Sequence, residues 1–251
     1  MFLHNNIKIK SYPDLCNIAL SELLIMDIKR AEMEGVNKQK NLPSLLKGSN
    51  NKGIFLIHNL SASPHEMRHI ADYVNKLGYN VYNARVAGHG TMVENAKKLN
   101  FIDWYDSLKY GYFALKKISK ELHIIGKTTG AMLGLLISLF NNVDSLVLIL
   151  PKIKNIKRKI SINIIRYFST LIHNINSNNE REETSYKFIP YRNIKQHDVL
   201  CEYINKNCHI FNKNIPITIH FSNTENILEY NKIFAILKKL KDNNAIINKY
   251  N

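Results

Sequence analysis

The sequence predicts an α/β fold: a mostly parallel sheet with helices on both faces and an inserted helical cap. Three observations lead there. Apolar runs of strand length alternate with stretches of helical period through residues 51–151, and such alternation predicts parallel strands joined by crossover helices. One junction, Glu121 to Gly134, passes from a short apolar run through Gly126-Lys127-Thr128-Thr129-Gly130 straight into a second apolar run. From Lys152 to Asn214 the alternation lapses, and it returns at Ile215.

Four segments follow. Residues 1–50 form an N-terminal extension, with a helical pattern over Pro13 to Glu34 in the apolar residues Leu15, Ile18, Ala19, Leu23, Leu24, Met26 and Ile28, and a polar connector over Lys38 to Lys52. Residues 51–151 are the first part of the core. Gly53 to Leu60 reads as a buried strand and Ser61-Ala-Ser-Pro64 as a helix start. Met67, Ile70, Ala71, Val74 and Leu77 then fall on one helical face, and Gly78 closes it. Tyr79 to Ala84 is the next strand, Phe101 to Lys120 a helix, and Asp144 to Leu150 a further strand. Residues 152–214 are the cap. Residues 215–251 complete the core, with a strand over Ile215 to Phe221, a helix over Ile227 to Leu240 and a last strand over Ala245 to Tyr250.

The chain has 251 residues, 45% of them hydrophobic, enough to bury a sizeable core. No apolar stretch reaches the roughly 18 residues of a membrane span, and the first ten residues lack a secretory pattern. Three cysteines without metal-like spacing point to a reduced, cytoplasmic chain. The net charge of +15 is spread over lysines in most segments of a Lys-, Asn- and Ile-rich chain. It comes without a nucleic-acid recognition motif, so no nucleic-acid partner is expected.

The Glu121–Gly134 junction carries the chemistry. A strand that turns at once into a helix brings two backbones close, so small residues must flank the residue at the apex. The layout is Gly-x-Ser-x-Gly, with Gly126 and Gly130 as the flanks and Thr128 where serine would stand. Three other pieces accompany it in order: His58-Asn59-Leu60 after one strand, Gly88-His89-Gly90 after the next, and Pro216 to Leu228 with an acidic residue after a late strand. Together they resemble the α/β-hydrolase family, and within it the carboxylesterase and monoacylglycerol-lipase group, over about residues 50–250.

The resemblance implies hydrolysis of small acyl esters without a cofactor. Thr128 takes the nucleophile position, and the backbone N–H groups of Leu60 and Thr129 form the oxyanion hole. Glu225, nine residues after Pro216, takes the acid position. His58 and His89 are structural. Asn59 stands where the family has glycine; asparagine tolerates positive φ better than most residues. The family places its catalytic histidine on the loop after the last strand, and the sequence stops at Asn251, where that loop should begin. A threonine is a poor fit at a strained apex, and without a base its hydroxyl stays protonated. The expectation is therefore a serine-hydrolase relative with a degenerate, shortened triad, weak or inactive; the competing expectation is a working enzyme with Thr128 and a borrowed base.

Two further readings stand beside it. The basic and apolar stretch from Lys152 to Ile175, with Lys157, Arg158 and Lys159, fits a non-catalytic protein making peripheral contact with an anionic membrane. His65-Glu66-Met67-Arg68-His69 matches His-Glu-x-x-His literally, the pattern of a zinc peptidase helix. No third ligand follows at the matching spacing, so no metal is expected.

Overall fold

The computed structural model describes residues 8–151, 189–212, 214–222 and 246–250. Helix α1 (Leu20–Met33) precedes a short strand β1 (Ser44–Leu46), then β2 (Lys52–Ile57). A 3-10 turn at Pro64–Met67 leads into α2 (Arg68–Lys76), followed by β3 (Asn80–Ala84), α3 (Val93–Lys98), α4 (Phe101–Ser107) and α5 (Lys109–Ile118). Next come β4 (Glu121–Lys127), α6 (Thr129–Phe140), β5 (Ser145–Ile149), α7 (Tyr191–Asn207), β6 (Ile217–Ser222) and β7 (Ile246–Tyr250).

Among the described residues the strands form one sheet in the order β1-β3-β2-β4-β5-β6-β7. Only β1 runs antiparallel, against β3; the remaining pairs are parallel. The chain moves from β2 outward to β3 and then returns across β2 to β4. That reversal is a topological switch point, and crevices for ligands open beyond the carboxyl ends of strands there. His58 and Thr128 follow directly on those two strand ends.

Strand β2 explains why its sequence is apolar throughout rather than alternating. Phe55 and Ile57 face the main core with Tyr82, Ala114, Leu115, Leu133 and Leu136, while Ile54 and Leu56 face the opposite side with Met67, Ala71 and Val81. Helix α6 is buried over almost its whole length, so its run of Ala, Met and Leu has no polar stripe. Helix α7 packs on α6 and adds Leu200, Cys201 and Ile204 to the main core.

Three sequence expectations change. The connector over residues 38–52 contains β1, which is too short for a periodic signal. The helix over 101–120 is two helices, broken at Leu108, whose N–H bonds back to Tyr105 at 3.1 Å in a tight turn. The helical pattern read from Pro13 begins only at Leu20; before it, Tyr12 is buried, its hydroxyl donating to Tyr105 O at 2.8 Å. The basic stretch at 157–159, the helix over 227–240 and Glu225 lie outside the described residues. No helix among the described residues is long and apolar enough to cross a membrane.

Candidate active site

The apex residue Thr128 has φ 48° and ψ −105°. A positive φ on a β-branched residue is an outlier that the surrounding structure must enforce. Here the enforcement is visible. Thr128 N–H extends the β4–β5 ladder by bonding Ile149 O at 2.8 Å, and Thr128 O already accepts a helical bond from Met132 N at 3.3 Å. The chain leaves the strand and enters the helix within one residue.

The flanking glycines make this possible. A Cβ on Gly126 would lie 2.4 Å from Gly130 O, and a Cβ on Gly130 would lie 2.2 Å from Ile57 O and 2.5 Å from His58 O. The second contact presses the start of α6 against the end of β2. It brings Thr129 beside Asn59 and Leu60, and these three join His58, Val86 and His89 around a narrow crevice. Thr128 Oγ1 is shielded from solvent and has no hydrogen-bond partner among the described residues. No histidine ring among them therefore hydrogen-bonds Thr128 Oγ1.

His58 and His89 hold the loops behind the crevice. Val86 N–H donates to His58 Nε2 at 3.1 Å, which leaves the proton on Nδ1 to donate to Asn59 O at 2.8 Å. Burial pushes His58 well below the usual imidazole range, and neighbouring His89 adds to the shift. His89 lies 2.8 Å from Leu60 O through Nε2 and 2.9 Å from Ala87 O through Nδ1. Those carbonyls favour its charged form, but burial outweighs them and its pKa is lowered. Beneath, Arg85 donates to His89 O at 3.0 Å and to Glu34 Oε2 at 2.7 Å; the same carboxylate oxygen accepts Gly88 N–H at 2.7 Å. A residue of the N-terminal extension thus braces the Gly88-His89-Gly90 turn.

Asn59 does not adopt positive φ: the non-glycine residues that do, among those described, are Thr128 and Leu150. Its N–H instead donates to Glu66 Oε2 at 2.9 Å, and Lys127 Nζ donates to Glu66 Oε1 at 2.9 Å. Glu66 therefore ties the β2 loop to the residue before Thr128. The His-Glu-x-x-His match spans the junction of the 3-10 turn and α2 instead of one α-helix. Among the described residues no group of three His, Cys, Asp or Glu could hold a metal ion.

Sequence reasoning missed His197. It sits on α7, within the segment assigned to the cap, is 4% exposed, and faces Thr129 Oγ1 at 3.0 Å and Cys201 Sγ at 3.5 Å. The i, i+4 spacing of His197 and Cys201 was the available signal. Its contact is with Thr129, one residue past the apex, and it fastens α7 to the first turn of α6.

No protein-family model matches the chain. A stretch of 83 residues is 36% identical to the thermostable monoacylglycerol lipase of Bacillus sp. (strain H-257); it covers 33% of this chain and a third (33%) of that relative. Among solved structures, a work on the metagenome-derived lipolytic enzymes LipS and LipT supplies one at TM-score 0.65 and 17% identity, covering 85% of this chain and 88% of that one. A thermostable carboxyl esterase from Bacillus coagulans matches at TM-score 0.61 and 10% identity, covering 83% and 84%. A lipase-esterase related protein from Clostridium acetobutylicum matches at TM-score 0.56 and 14% identity, covering 83% and 89%. Sheet order, elbow and these likenesses define the class: the chain has the α/β-hydrolase fold. Within that class it is similar to carboxylesterases and lipases, the Bacillus monoacylglycerol lipase among them.

Proposed function

We propose that the chain carries an acyl-ester hydrolase site of reduced activity, taking small esters, with Thr128 as nucleophile. The observation that supports this is the backbone of Thr128, φ 48° between two glycines that admit no side chain. Backbone strain of this kind concentrates at functional sites, and the apex of such a strand-to-helix turn is where a nucleophile hydroxyl stands in this fold. In the reaction, Thr128 Oγ1 bonds to the acyl carbon while its proton passes to a water molecule, which returns a proton to the leaving alkoxide as the ester C–O bond breaks. The carbonyl oxygen gains charge toward the N–H groups of Leu60 and Thr129, the alcohol departs, and water then releases the acid. Glu225 is kept as the acid position by resemblance. The rate is low because Thr128 Oγ1 meets no base among the described residues, and loss of one triad member costs about 10^4-fold or more.

The test is hydrolysis of a short-chain activated ester from pH 6 to 9 by the parent chain, Thr128→Ser and Thr128→Ala, with mass analysis for acylation of residue 128. Slow turnover with a small acyl burst is expected, abolished by Thr128→Ala and raised by Thr128→Ser. Equal rates for parent and Ala, with no acyl adduct even in Thr128→Ser, would sink Thr128 as nucleophile.

A further inference from the structure

We propose that Asn59 fills the oxyanion hole of this chain with its own side chain, and so sets how weakly the site accepts an acyl oxygen. The inference rests on reading Leu60 and Thr129 as the oxyanion donors. Leu60 N–H is not free to receive a ligand: it donates to Asn59 Oδ1 at 2.7 Å, the short end of the range for such bonds. The amide is oriented by its other end, where Asn59 Nδ2 donates to Ser61 Oγ at 3.2 Å. A flipped amide would set a donor against a donor at Leu60.

The main chain of residue 59 is held as firmly. Its N–H goes to Glu66 and its carbonyl accepts from His58 Nδ1. Glu66 is fixed in turn by Lys127, the residue before the apex. Every polar group of Asn59 is engaged, and the network ties the β2 loop to the strand end before the apex. Glycine, the family residue at this position, has no amide and leaves the Leu60 N–H open. A carbonyl oxygen carries part of the negative charge of an oxyanion and needs the same in-line approach to the donor. A substrate oxygen must therefore displace an acceptor that is already tethered, and the exchange returns little.

Butyrate, the acid released from a short-chain ester, is the probe. It is titrated into the 15N-labelled full chain while the amide resonances of Leu60 and Thr129 are followed. Asn59→Gly is expected to bind butyrate at least tenfold more tightly than the parent, with both amides shifting. Asn59→Asp is expected to bind more weakly than the parent, because a carboxylate is the stronger acceptor. Equal affinity in parent and Asn59→Gly overturns the proposal while leaving the oxyanion pair in place. No shift at either amide in any variant removes the oxyanion pair and the proposal together, whereas acylation at Thr128 is scored separately. Should Asn59→Gly lose a dispersed spectrum, Asn59→Ala carries the same comparison, since a Cβ alone cannot accept from Leu60.

Discussion

His58 and His89 show how burial decides a residue's chemistry before any partner does. Both rings lie within hydrogen-bond reach of backbone, both are buried, and both are held below the ordinary imidazole range, chiefly by burial. Their folded pKa values are depressed, so the unfolded chain binds more protons below about pH 6.5. Stability then rises with pH through that window and is lost as pH falls beneath it, at up to about 1.4 kcal/mol per pH unit for each ring. Urea midpoints measured from pH 7.5 to 5 should fall with acid, and His58→Gln should flatten the slope by about one proton. A parent midpoint that stays level over this range would mean the rings take up protons as readily in the folded chain as in the unfolded one. At this scale the sequence was a partial guide. The places of His58 and His89 on the loops after β2 and β3 follow from the motifs, but the Asn59–Leu60 and Thr129–His197 bonds do not, because each depends on a side-chain direction that spacing alone does not fix.

At the scale of elements, the strand β4–helix α6 junction was legible from sequence because the constraint is steric. Only glycine fits at 126 and 130, and a long apolar run must follow if the helix is buried. The two glycines of α6 differ in kind. Gly130→Ala would put its Cβ against the backbone carbonyls of Ile57 and His58, which cannot step aside without moving β2. A loss of about 3 kcal/mol is expected. Gly134→Ala would meet Ile124 Cγ2 at 2.9 Å, the end of a side chain that can turn. The helix-propensity gain of about 1 kcal/mol offsets that crowding, and the variant should sit within about 1 kcal/mol of the parent. Thermal denaturation separates the two; similar losses in both would contradict the backbone-contact argument. Other elements hid from the sequence for lack of length or contrast. Strand β1 has three residues, and the α4–α5 break falls at a buried Leu108 that fits either side of it.

Across the whole molecule, the N-terminal extension is bound into the core by charge as well as by packing. Asp27 is buried, accepts from Tyr82 at 2.6 Å and pairs with Arg30 at 2.6 Å. Glu34, just past α1, neutralises Arg85, whose side chain is fully buried. The periodicity of the extension was readable, but nothing in its pattern named Arg85, 51 residues beyond Glu34, as its counter-ion. Glu34→Ala would strand that guanidinium and one N–H of the Gly88 turn. Glu34 keeps about a quarter of its surface in solvent, so the expected loss of about 2–3 kcal/mol lies below the roughly 3–5 kcal/mol of a fully enclosed pair. Chemical denaturation measures it, and an unchanged midpoint would show that water replaces the carboxylate at no cost. The same turn has an optical signature. Trp104 is the sole tryptophan of the chain, fully buried, and the His89 ring stands edge-on to it at 6.1 Å. Tryptophan fluorescence, excited beyond the tyrosine absorption band, is therefore a single-site signal: its colour and quenching report the packing and protonation of the His89 turn, so an unlabelled sample carries its own probe beside the crevice.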